Sequence, residues 1–261
     1  MEERMAELKA AKLDDVKKFY NDLVGPASVQ IAAVGEFDDP ALNSSLQQMM
    51  AGWKVKAPFK RVDRPFIANE SGSKTIVTPD KPMATVGMAT DFKMQDTDPD
   101  APAIDIAGYI LGGGAKSRMT DRLRQKEGLS YGAGALVRSD SLDPITSIAA
   151  FAICAKQNAD KAAIAMNEEM RRWIDNGVTE QELLEAKKSN RLEFLGELNE
   201  DSVVAGMLAS GLYLNRTMKW DADRLDAIDA LNVQQVNDTV KKRLSGAQFF
   251  ELKAGDLEPS K

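Results

Sequence analysis

Apolar positions along this chain recur mostly with helical spacing, interrupted by short runs of strand character. Val16, Phe19, Tyr20 and Leu23 fall at i, i+3, i+4 and i+7 and predict an amphipathic helix after a cap at Asp14. Gly25-Pro26 stops it, and Ser28 to Val34 then reads as a short buried strand ending at Gly35. Asp39-Pro40 is a cap followed by a proline at the first helical position, opening a second helix through about Trp53. The proline-bearing, charged stretch from Lys54 to Gly72 has the composition of a linker. Lys74 to Thr78 and Ala84 to Phe92 read as strands.

Beyond Pro102 the pattern predicts a helix to Leu111, three glycines, and a short helix from Ser117 to Lys126. Tyr131 to Val137 and Ile145 to Ala155 read as paired strands. A long helix from Ala159 to Asn176 carries Ala162, Met166, Met170 and Trp173 on one stripe and ends at Gly177. Thr179 and Glu182 form a capping box for the next helix, with Val178 and Leu183 placed as a hydrophobic staple. Helices at 202–213, 222–230 and 233–244 and a strand from Gln248 to Lys253 complete an α+β pattern. The chain also repeats itself weakly. A shift of 220 residues brings Val16 onto Val236, Gly35 onto Gly255, Glu36 onto Asp256 and Phe37 onto Leu257. That period suits tandem copies of one domain. The expected organisation is the tail of a preceding copy over 1–55, a linker over 56–73, and a complete domain over 74–257.

Composition narrows the chemistry. With 261 residues, 43% of them hydrophobic, the chain can bury one large core or two modest ones. A net charge of -6 argues against a nucleic-acid footprint, and no apolar run approaches the roughly 18 residues of a membrane span. Cys154 is single and sits in an apolar run, as a buried strand residue would. The decisive absence is histidine, of which there is none. Zinc hydrolases and His-based acid–base systems both need the imidazole, so a self-sufficient enzyme of either kind is excluded.

The segment from Gly108 to Tyr131 concentrates the remaining chemistry. A phosphate-binding loop does not fit, because Ala115 separates the last glycine from Lys116-Ser117. Gly112, Gly113 and Gly114 permit positive φ or close approach of another chain. Ser117 suits an N-cap, and Gly128 a left-handed turn with Leu129 folding back towards Leu123. Arg124 and Tyr131 lie on either side of that turn. They can donate hydrogen bonds to a peptide backbone or a developing oxyanion. Equally, Arg124 can cap helix carbonyls while Tyr131 fills a sheet edge.

Three stretches carry a family resemblance: Leu111-Gly-Gly-Gly-x-x-Ser117-Arg-Met119, Leu123-Arg-x-Lys-Glu-Gly-Leu-Ser-Tyr131, and Gly177-Val-Thr-Glu-Gln-Glu-Leu-Leu-Glu-Ala-Lys187. Together with Val16-Lys-Lys-Phe-Tyr-Asn21 and Val34-Gly-Glu-Phe-Asp38, they resemble the metal-free C-terminal half of pitrilysin, insulin-degrading-enzyme and mitochondrial-processing-peptidase type zinc peptidases. The resemblance implies repeated, metallopeptidase-like α/β-roll domains, mostly antiparallel sheets covered by helices, closing over a peptide. It puts zinc in the partner half, on the same polypeptide or a partner subunit, and no cofactor or metal in this chain. It assigns Arg124 and Tyr131 to substrate or transition-state hydrogen bonds, and Gly112 to Gly114 to the chamber wall opposite the metal. A periplasmic location follows from the same resemblance. The alternative it leaves is a catalytically inert scaffold subunit.

Overall fold

The computed structural model describes residues 2–54 and 56–257, so the expected 1–55 boundary touches Met1 and Val55 outside the described residues. The chain divides into two units: Met1–Val62 with Glu200–Arg216, and Asp63–Asn199 with Thr217–Lys261. The first holds helices α1 (Glu2–Ala10), α2 (Leu13–Leu23), α3 (Asp39–Met50) and the later helix α8 (Asp201–Leu214). The α2 helix begins one residue before the expected cap. Lys12 is its N-cap, and the Asp15 carboxylate accepts from the Lys12 N–H at 3.1 Å. The α3 helix is capped by Asp38, whose carboxylate accepts from Ala41 N–H at 2.7 Å, leaving Pro40 in the first turn where its missing donor costs nothing.

One strand expectation fails. Residues 28–34 form no strand, because no other described strand pairs with them. An extended segment without a ladder partner leaves its backbone groups to water.

The second unit contains a five-stranded sheet in the order β1-β5-β2-β4-β3, formed by β1 (Gly72–Val77), β2 (Met83–Phe92), β3 (Ser130–Ser139), β4 (Thr146–Ala155) and β5 (Phe250–Gly255). The pairings are antiparallel apart from β1 with β5. Helices α4 (Ala101–Gly108), α6 (Ala159–Asn176) and α10 (Val233–Leu244) contribute the buried face against it. The strands supply Ala84, Val86 and Met88 from β2, and Ile148, Ala150, Ala152 and Cys154 from β4. Trp173 is wholly enclosed, and its indole N–H donates to the Ala107 carbonyl at 3.1 Å, fixing α6 to α4. Arg243 does the same for α10. Its guanidinium bonds Asp98 and Asp100, both at 2.7 Å, in the turn before α4.

Polar locks hold the remaining helices. The box at the start of α7 (Glu180–Glu197) forms as expected, with the Thr179 hydroxyl accepting from Glu182 N–H at 3.2 Å and Val178 and Leu183 both buried. Glu182 has a second role that its spacing does not announce. It takes two hydrogen bonds from Arg118, at 2.6 and 2.7 Å, while Arg118 also donates to the Gly177 carbonyl. Arg118 belongs to α5 (Arg118–Thr120), so this pair ties α5 to α7. Nearby, Glu169 of α6 is 0% exposed and makes no aligned hydrogen bond. Three guanidiniums balance it instead, Arg172 at 3.1 Å, Arg122 at 3.6 Å and Arg118 at 4.0 Å.

Burial alone would raise the Glu182 carboxyl, but Arg118 and the Thr179 N–H outweigh it and hold it down to about 2. Its ordinary value is 4.5, so the unfolded chain takes up this proton first as pH falls. The associated stability is complete above pH 4.5 and drains away as pH falls towards 2. We expect Glu182→Gln to lose about 2 kcal/mol at pH 7, after allowance for partial exposure. The gap to the unmodified protein, read by urea unfolding, should narrow steadily below pH 4.5.

Candidate functional site

Within this unit, and among the described residues, helices cover the sheet on one face only. On the other, cross-strand rows align Leu136 with Ala149, Ala89 and Phe250, and Gly134 with Phe151, Gly87 and Leu252. Leu136, Phe151, Phe250 and Leu252 are exposed there. Glycines shape this face. The Phe151 ring lies over Gly134, where an added Cβ would stand 3.4 Å from it, and the Phe250 ring lies over Gly72 at 3.2 Å. The result is an open apolar surface on which two rings lie over glycines.

The segment from α4 to β3 packs against the edge strand β3. The α4 helix runs directly into a π-helical turn, Tyr109–Gly113, closed by Gly114 N–H to the Tyr109 carbonyl at 3.1 Å. Gly108 and Gly112 press this path onto β3. A Cβ on Gly108 would meet Val137 Cγ2 at 2.2 Å, and one on Gly112 would stand 1.8 Å from the Ala135 backbone nitrogen. Gly113 and Gly114 lie against the Tyr109 ring, at 3.2 and 3.0 Å by the same measure. That ring is itself anchored, its hydroxyl donating to Glu193 of α7 at 2.6 Å. Burial, then the Glu193 carboxylate, push the Tyr109 phenol up to about 12, which keeps it a donor.

Arg124 lies in a second π-helical turn, Asp121–Lys126, which continues α5. The turn ends as its residues predict: Gly128 adopts φ +60°, and Leu129 N–H reaches back to the Leu123 carbonyl at 2.8 Å. That bond spans one more residue than an α-helical ending would, because the turn is of π type. The wider ending delivers the chain into β3, the edge strand. There Ser130 pairs with Cys154 and Gly132 with Ile153, so Tyr131 is the extra residue of a β-bulge. Tyr131 is 65% exposed. Arg124 is exposed as well, and neither side chain has a partner among the described residues. Exposed donors without a partner among the described residues therefore flank the Gly128 turn, one before it and one after.

Sequence reasoning overlooked three members of this region. Tyr109 gives no spacing signal, because its partner Glu193 is 84 residues away. The Glu169 cluster likewise draws on two helices and a short turn. The open sheet face did leave a signal. In β4, Phe151 and Ile153 alternate with the buried Ile148, Ala150, Ala152 and Cys154, so the strand is apolar on both faces. Such a strand needs cover on both faces, and the helices cover one.

The zinc that the family resemblance implies does not fit this chain. It has no histidine, and among the described residues no group of three His, Cys, Asp or Glu side chains could hold a metal. Helix-backed sheet and open apolar face together define an α+β domain. The family profile of the peptidase M16 inactive domain matches residues 10–190. The chain therefore belongs to the M16 peptidase family, as a member of its inactive-domain class.

Three relatives illustrate the range. A non-peptidase homologue, YmxG of Helicobacter pylori, is 23% identical over 243 residues, covering 90% of this chain and 53% of that protein. An uncharacterised zinc protease of Streptomyces coelicolor is 22% identical over 220 residues, covering 81% of this chain and 45% of its own length. The crystal structure of a peptidase M16 inactive domain from Pseudomonas fluorescens superposes with a TM-score of 0.75 at 19% identity, over 97% of this chain and 59% of that one. The chain spans about half the length of the curated relatives it matches.

The glycine packing makes a direct demand on stability. We expect Gly112→Ala to destabilise the protein by about 3 kcal/mol, since the added methyl falls on the β3 backbone. Gly132→Ala, with nothing within 4 Å, should change stability by under about 0.5 kcal/mol. Thermal or urea unfolding of the two variants separates these outcomes.

Proposed function

We propose that this chain is the substrate-gripping, metal-free half of an M16 peptidase. It holds a peptide against its open sheet face while Arg124 and Tyr131 donate hydrogen bonds to the peptide's carbonyl groups. Gly112 to Gly114 form part of the same wall. The zinc and the chemistry it performs belong to another half, on the same polypeptide or a partner subunit. The observation that carries this reading is Tyr131. An exposed phenol without a partner, on the bulge of an edge strand, contributes nothing to stability that a phenylalanine would not. Bulges re-aim side chains next to functional sites, which suits a residue that reaches for something outside its own domain. The apolar face supplies non-directional affinity, and the two donors supply orientation.

A second reading is a catalytically inert assembly subunit, and the non-peptidase description of the Helicobacter pylori relative favours it. The two readings part on the donors, which an inert subunit does not use.

The test is assembly with the zinc-bearing half, followed by peptide cleavage with and without chelator. In the assembled enzyme Tyr131→Phe should lower kcat by roughly 100-fold, the typical loss of one transition-state donor, with the melting temperature unchanged. Arg124→Gln should lower kcat/KM in the same assay. Unchanged turnover in both variants, in an assembly that cleaves peptide, would falsify the donor role. An assembly that never cleaves peptide favours the inert reading.

A further inference from the structure

The open sheet face carries few charges, and they do not cancel. Strand register and alternation put Asp91 of β2, Arg138 of β3 and Lys74 of β1 on it. Asp91 and Arg138 both align with Ser147 of β4, in one row across three strands. Asp91 is engaged elsewhere, its carboxylate accepting from the Asn69 side-chain amide at 3.0 Å. Arg138 and Lys74 are exposed, and neither has a partner among the described residues. A chain of net charge -6 therefore turns unpaired cations outward on its one open face. That contrast points to an occupant that brings negative charge of its own.

The two cations are not equivalent. Lys74 lies on the far edge strand, four strand spacings or about 19 Å from β3. Arg138 shares β3 with Tyr131 and follows Leu136 on the same face. Between Leu136 and Phe250 the row holds only Ala149 and Ala89, and the row of Arg138 holds Ser147 in the same lane. These small side chains leave room for an extended peptide over β4 and β2, with apolar contacts at Leu136 and Phe250. From Gly132, just past the Tyr131 bulge, β3 reaches Arg138 in roughly 20 Å. An extended peptide covers that span in about six residues. A guanidinium is more weakly hydrated than an ammonium and meets a carboxylate through two parallel N–H bonds, which suits a charge set among apolar neighbours. Charge on an edge strand also discourages sheet-to-sheet pairing, but either sign serves that purpose.

We propose that Arg138 is a carboxylate subsite on the open face, which selects apolar peptides that carry a negative charge. The carboxylate is an acidic side chain or the peptide's own C-terminus, about six residues from the carbonyl that Tyr131 meets. This rests on the peptide-holding role proposed above and names the class of peptide held. Arg138 binds and does not take part in bond cleavage. It sets the register of the peptide along β3, as the apolar contacts, being non-directional, do not.

The test is binding of labelled apolar peptides of about ten residues to this chain, read by fluorescence anisotropy. One pair differs only in a glutamate or glutamine, with the C-terminus amidated. A second pair keeps the glutamine and differs only in a free or amidated C-terminus. In at least one pair the carboxylate form should bind about tenfold tighter than its neutral twin, and which pair it is identifies the source. Arg138→Gln should remove that preference with the melting temperature unchanged. Arg138→Glu, which keeps a charge on the edge strand, should move the preference to a lysine-bearing peptide. Lys74→Gln, the same loss of charge on the far edge, should leave the preference intact. Equal binding of charged and neutral peptides, or a preference that survives Arg138→Gln, overturns the subsite and leaves the peptide-holding reading standing. Binding of none of the peptides overturns both. A carboxylate preference in a chain whose assembly with the zinc-bearing half never cleaves peptide supports the subsite and sinks the peptidase reading alone.

Discussion

A single sheet must satisfy two apolar faces with helices enough for one. Strands β2 and β4 alternate between residues locked under α4, α6 and α10 and mostly apolar or small residues facing outward, to which β5 adds Phe250 and Leu252. Burying the first set supplies the cohesion of the domain. The second set is kept tolerable in water by small side chains, Ala89, Ala149, Gly87 and Gly134, between the larger Leu136, Phe151 and Leu252. This asymmetry is why the chain can be stably folded and still present an apolar surface to something else.

Positioning depends on arginine more than on hydrophobic contact. Arg118 joins α5 to α7 through Glu182, Arg243 joins α10 to the turn before α4, and Arg64 joins the chain before β1 to the β3–β4 turn at Asp143, with Nε to Oδ2 at 2.9 Å. Planar guanidiniums make such links directional, so each fixes an angle as well as a distance. The π-helical turn bearing Arg124 begins where the Arg118 link ends. The location of the exposed donors is therefore inherited from an ion pair they do not touch.

Local rules read most of these elements correctly from sequence. Val178, Thr179, Glu182 and Leu183 declare a helix start within six residues, and Gly128 with Leu129 declares a turn. Arg124 and Tyr131 could be singled out because the resemblance supplied what spacing lacked. Four things were not legible. The π-type turn at Tyr109–Gly113 goes with the seating of Gly108 and Gly112 against β3, which is a tertiary fact. The bulge at Tyr131 is set by register with β4 and not by Tyr131 itself. Glu169 and its guanidiniums meet only after folding. Residues 28–34 have the composition of a strand, but a strand is defined by its neighbours, and composition cannot supply them.

The bulge in β3 has a consequence for how this region can change. Ser130 pairs with Cys154 and Gly132 with Ile153, so the ladder would close without interruption if the chain were one residue shorter. Chain length between the Gly128 turn and the glycine-packed part of β3 is thus a coding element in its own right, separate from residue identity. Lineages can exchange the tyrosine and keep the protrusion, or lose one codon and erase the protrusion while every remaining residue keeps a pairing partner. The register of β3 on β4 would survive that loss, because the bulged residue is the one position of this stretch without a partner on β4.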